Sequence, residues 1–101
     1  MIDLSGHIKL TDFGLCKIGL EKDELTKSFC GSPEYMAPEV VSRSGHNYAI
    51  DYYTLGALLH ELVIGLPPFY SKDTCMMMLN IVNKKLILPK DISPSLSDLL
   101  K

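Results

Sequence analysis

The sequence has no excess of basic residues. Ten lysines and arginines stand against twelve aspartates and glutamates, a net charge of −2 with neutral histidines. Nucleic acid is therefore not expected as a partner, because its binders carry a basic footprint. The sequence has no paired set of cysteines either. Cys16, Cys30 and Cys75 are odd in number and lack metal-site or framework spacing, which fits a reducing compartment. No apolar run is clean enough for a bilayer. The most apolar stretch, Ala49 to Phe69, carries Asp51, His60 and Glu61 and then Pro67-Pro68. It reads as a buried helix of a soluble protein, and no membrane span is expected. Asp3 and His7 interrupt the first residues, so these do not read as a signal peptide. The expected location is intracellular, cytoplasm or nucleus. Finally, the seven glycines never fall at the spacing of a phosphate-cradling loop.

What is present is enough for one small domain. The 101 residues are 47% hydrophobic and 22% charged, a globular composition. A chain this short buries only part of its surface and needs good packing to be stable. Ile2 and Leu4 precede Ser5-Gly6, and Ile8 and Leu10 alternate with polar residues. That pattern predicts a short hairpin ending at Asp12-Phe13-Gly14. Residues 17–33 have no sustained period and read as a long loop, a kind of segment that is usually either functional or disordered. A short helix is predicted from Pro38 through Val41. The strongest helix is capped by Asn47 and stopped by Gly65 and Pro67, with apolar residues nearly all round. A third is predicted from a Ser71 cap to about Asn83. A fourth starts at Ser93-Pro94, with Leu96, Leu99 and Leu100 on one face.

Asp12-Phe13-Gly14 places a carboxylate at a strand end, released by a glycine. Phosphoryl transfer needs such a group to hold a magnesium ion on nucleotide phosphates. Alone the tripeptide is a weak signal, and its plain reading is a turn. Downstream lies Phe29-Cys-Gly-Ser-Pro-Glu-Tyr-Met-Ala-Pro-Glu39. With Gly6 to Lys17, Asp51-Tyr-Tyr-Thr-Leu-Gly56 and Gly65-Leu-Pro-Pro-Phe69, it forms a set in fixed order and spacing. Through these runs the chain resembles the eukaryotic protein kinases, in particular the AGC group of serine/threonine kinases. The Leu15-Cys16-Lys17 run leans toward the protein kinase B, ribosomal S6 and serum-regulated kinases. The resemblance covers essentially the whole chain.

The fold it implies is mainly α with a short N-terminal β-hairpin, a partial C-terminal lobe of the α+β kinase fold. Residues 1–14 would be the hairpin, 12–39 the activation segment and 40–101 the helical lobe. Asp12 resembles the magnesium ligand that helps to bind ATP; the resemblance implies that Phe13 packs to set active or inactive states, and Gly14 is read as structural. Ser28 stands at the activation-loop phosphosite, with Thr26 as a competitor. A phosphate there adds nearly two negative charges, and Lys17 resembles one of the cations that meet it. An upstream activating kinase is thereby implied. Ser32 resembles the hydroxyl that touches the catalytic aspartate. Phe29, Pro33 and Met36 resemble the pocket for the substrate residue after the acceptor. Glu61 resembles a carboxylate that reads an arginine before the acceptor, a pairing suited to bidentate geometry. Its plainer reading is a satisfied polar group on a buried helix. Glu39 and Asp51 are read as structural, and a carboxylate in the first turn of a helix is in any case favoured by the dipole. The family has tryptophans where Tyr52 and Tyr53 stand, and this chain has none. Cys16 and Cys30 flank the loop, and free thiols are the expectation in a reducing cell.

Other parts of the kinase apparatus are absent from these residues. There is no glycine-rich loop, no strand lysine with its helix glutamate, and no His-Arg-Asp loop with its base and asparagine. The expectation is a fragment of a kinase that phosphorylates basic, arginine-containing substrates using Mg·ATP, inactive by itself. A non-catalytic substrate- or partner-binding module, or a pseudogene product, is the alternative.

Overall fold

Capping chemistry sets where the helices begin and end. The computed structural model describes residues 1–21 and 23–101. Helix α1 spans Pro38–Val41, α2 Ala49–Ile64, α3 Thr74–Asn83 and α4 Pro94–Leu99. Proline at the first position of α1 and α4 supplies the helical φ where no N–H partner is needed. Asn47 Oδ1 accepts the Ala49 N–H at 3.0 Å, so the expected cap holds α2. Gly65, at φ 92°, closes α2 by donating its N–H to the Glu61 carbonyl at 2.8 Å. Ser93 Oγ accepts from the Leu96 N–H and starts α4.

The cap of α3 differs from the Ser71 expected. Asp73 Oδ1 accepts from both the Cys75 and Met76 N–H groups, at 2.8 and 3.2 Å. Ser71 Oγ is used one step earlier, on the Asp73 N–H. A carboxylate satisfies two open donors and carries the charge the helix start favours, so the helix begins at Thr74.

The fold is mostly helical, and no described residue lies in a regular strand. The expected hairpin is reduced to one antiparallel bridge, Ile2 to Ile8, closed by a turn in which the Gly6 N–H meets the Asp3 carbonyl. The reason is missing cover: Ile2, Leu4, Ile8 and Leu10 are all exposed. A two-stranded ribbon without a layer against it is marginal in water.

The core is small and central. Met36, Ala37 and Val40 are buried, with Val41, Ile50 and Tyr53 packed against them. The turn Pro33–Tyr35 packs on both α2 and α3, and α1 packs on α3. On α3, Met77, Asn80 and Ile81 face inward, and Asn80 Nδ2 donates to the Phe69 carbonyl. The expectation of a fully buried α2 is not met. Only Ala57 and His60 are buried on it, while Tyr52, Leu55 and Leu62 are more than 60% exposed. His60 packs as expected, its Nδ1 donating to the Leu66 carbonyl at 2.8 Å and tying the end of α2 to the following loop. The Cα radius of gyration is 14.8 Å. A compact chain of this length would have about 13 Å. Among the described residues, no helix is long and apolar enough to cross a membrane.

Candidate functional site

Asp12 sits in a backbone conformation that an L-residue adopts rarely. Its φ is 62° and its ψ 72°, in the left-handed region. Aspartate tolerates that region better than most residues, because its short polar side chain bonds locally. Here Oδ1 accepts the Gly14 N–H at a long 3.5 Å, which starts the helical turn Phe13–Leu15. Outliers of this kind persist where the surroundings over-determine them, often at functional sites. Phe13 is 67% exposed.

The carboxylate lines an open concavity of about 720 Å³ between the N-terminal segment, the loop and the start of α2. Lys17, Ser28, Thr26, Cys16, Cys30 and Asp51 line it too. The structure thus brings together the residues read as metal ligand, phosphosite and phosphate contact. Ser28 Oγ and Thr26 Oγ1 lie 3.3 Å apart. All three cysteines are free and exposed.

Among the described residues, no group of three His, Cys, Asp or Glu side chains is placed to hold a metal ion unaided. Magnesium bound chiefly through phosphates and water needs only one or two protein carboxylates. Asp12, exposed and lining the concavity, fits the part of one such ligand. When bound, the metal would offset the negative charge of the phosphates.

The remaining sites lie apart. Ser32 precedes the Pro33–Tyr35 turn and lines a smaller hollow of about 130 Å³ with Met36, Ala37 and Thr54. Met36 belongs to the core, 7% exposed. Phe29 is half-exposed, with the Arg43 guanidinium 4.8 Å from its ring centre. Pro33 opens the turn. Of Phe29, Pro33 and Met36, only Met36 lines that smaller hollow. Glu39 lies near Tyr53, whose phenol is pushed up by burial first and by the Glu39 charge second. Asp51 is exposed in the first turn of α2.

Glu61 accepts the Tyr35 hydroxyl in a short hydrogen bond. That bond, then burial, then the charges of Glu61 and Glu34, hold the Tyr35 phenol above its ordinary value of 10.0. The pairing links α2 to the turn before α1 across 26 residues. No local pattern in the sequence announces it. A raised phenol favours the protonated folded form. Its stabilisation is present below the ordinary phenol range and is lost as pH climbs through the raised value. In an alkaline titration followed by NMR, Glu61→Gln is expected to bring the Tyr35 transition to lower pH. An unchanged curve would show that this bond does not persist in solution.

The protein kinase domain family matches residues 1–101. The chain belongs to that family of phosphotransferases. Human serine/threonine-protein kinase Sgk2 is 46% identical over 101 residues, covering 100% of this chain and 28% of that protein. Human Sgk1 and Xenopus laevis Sgk1-B are each 48% identical over all of this chain, which covers 23% of either. The likeness to AGC serine/threonine kinases read from the motifs therefore extends along the whole chain. The chain spans only 23% to 28% of the length of these curated relatives.

Proposed function

We propose that these residues form the activation segment and front helical lobe of a kinase that transfers the γ-phosphate of ATP to serine or threonine. The segment is 12–39 and the lobe portion 40–101. Substrates carry basic residues before the acceptor, read by Glu61. An upstream kinase modifies Ser28, with Thr26 as the lesser site. Ser32 lies beside the acceptor, and the protein works in the cytoplasm or nucleus, where its thiols stay reduced. The observation that carries this reading is Asp12, held left-handed with its carboxylate on the same concavity as Lys17 and Ser28. Positioning and charge stabilisation make up nearly all of phosphoryl-transfer catalysis. One metal carboxylate without base, lysine or phosphate loop cannot supply them, so the 101 residues alone are inactive.

The test is a graft. The chain replaces the matching 101 residues of human Sgk1, and labelled phosphate is followed into an arginine-containing peptide. The chimaera is expected to incorporate phosphate, and the isolated chain to stay at background. Activity of the isolated chain would overturn its proposed inactivity. A folded chimaera that binds the peptide yet transfers nothing would favour the binding-module reading instead.

A further inference from the structure

The loop between α1 and α2 touches the segment before α1 at three points. Thr26 and His46 exchange backbone hydrogen bonds at 2.8 and 2.9 Å, an isolated antiparallel bridge. The Arg43 guanidinium lies over the Phe29 ring, 4.8 Å from its centre. Leu25 packs against Gly45 so closely that a Cβ there would stand 3.2 Å from Leu25 Cδ1 and 3.3 Å from its Cβ. Gly45 also has a φ of 96°, which glycine adopts without strain. Leu25, Thr26 and Phe29 are thus each held from one loop, and Lys27 and Ser28 lie between the holding points.

The hold is reversible by its nature. Two backbone hydrogen bonds and one cation–π contact are each modest interactions. Leu25 and Phe29 stay partly in water, 57% and 42% exposed, so little apolar burial opposes release. Lys27 and Ser28 are exposed as well, and the Ser28 hydroxyl meets Thr26 Oγ1 rather than the α1–α2 loop. Exposure of a side chain is not access to its backbone. An enzyme that binds a chain as an extended strand uses the main-chain N–H and C=O groups. At Thr26 both are already engaged by His46.

We infer that the Arg43–His46 loop is a latch on the activation segment, and that it must open before an enzyme can modify Ser28. Closed, the latch withholds the backbone of Thr26. Open, it frees residues 25–29 together. The latch stands on these contacts alone, while its service to modification rests on the reading of Ser28 as the modified residue.

The experiment follows two signals in the full 101-residue chain. One is hydrogen exchange at the Thr26 and His46 amides. The other is trypsin cleavage between Lys27 and Ser28, trypsin standing for an enzyme that needs the chain extended. In the parent the two amides are expected to exchange about a hundredfold more slowly than when unstructured, the combined scale of the bridge and the cation–π contact. Gly45→Ala should open the latch about tenfold more often, the scale of left-handed strain on a residue with a Cβ. Cleavage should rise by the same factor, because it tracks the open population. Arg43→Ala removes the guanidinium and leaves the strain at φ 55° unchanged, so both signals should rise about threefold. Arg43→Lys should restore part of the loss. The Ala57 amide inside α2 should keep its protection in every variant. Exchange at the unstructured rate in the parent, or cleavage unchanged in both alanine variants, would overturn the inference. So would loss of Ala57 protection alongside the bridge, since the contacts would then open only with the whole fold. Mapping phosphate on the protein from its own cells tests the reading of Ser28 separately. Absence of phosphate at Ser28 there would sink that reading and leave the latch standing.

Discussion

Asp12→Asn in the Sgk1 chimaera is expected to lower kcat by about a thousandfold or more, the scale of losing a group that meets charge during phosphoryl transfer. The peptide KM should change little, since the peptide-reading residues lie elsewhere. Asparagine is the informative substitution because of the backbone. At φ 62°, alanine would add roughly 1–2 kcal/mol of strain from its Cβ and confuse folding with chemistry. Asparagine tolerates the left-handed region and still accepts from the Gly14 N–H, so only the charge is removed. Asp12→Glu keeps the charge but moves it by a methylene, and should recover only part of the rate. A folded Asp12→Asn chimaera within tenfold of the parent would show that this carboxylate is not the metal ligand.

The same residue shows what the sequence made legible. Asp12, Lys17 and Ser28 could be named in advance because their positions are tied to short runs of neighbours. Their shared concavity bears on the roles without testing them. Helix limits were legible wherever one residue had no rival: Asn47 and Gly65 for α2, Pro38 for α1, Ser93-Pro94 for α4. At α3 two capping residues stood close together, and Asp73 took the helix start because it satisfies two donors where Ser71 satisfies one. The alternation in residues 2–10 was real, but alternation predicts a strand only where something covers one face. Nothing does, and a single bridge remains. Pairings across the chain were not legible at all. Tyr35 with Glu61 and Thr26 with His46 join residues with no common local pattern, and only packing brings them together.

Met36→Ala is expected to destabilise the isolated chain by about 2–5 kcal/mol, the range for truncating a buried methionine. That is a large share of the 5–15 kcal/mol or so that holds a domain, and a chain this small sits near the lower end. The far-UV signal of α2 should therefore collapse at urea concentrations the parent survives. The resemblance assigns Met36 to a substrate pocket, but Met36 packs with Ala37 and Val40 at the centre of the core. Any rise in peptide KM on its loss must be read after stability is measured. Leu62→Ala is the contrast. Leu62 is 73% exposed, so its loss should cost within about 0.5 kcal/mol in the isolated chain. If the two substitutions cost the same, the Met36 cluster is not the core. In the Sgk1 chimaera the contrast should narrow. A helix apolar nearly all round is one that a larger fold covers. Covered there, Leu62 should cost about as much as any buried leucine, roughly 2–5 kcal/mol. A Leu62 change that stays neutral in the chimaera would show that this face of α2 remains open to water in the longer protein.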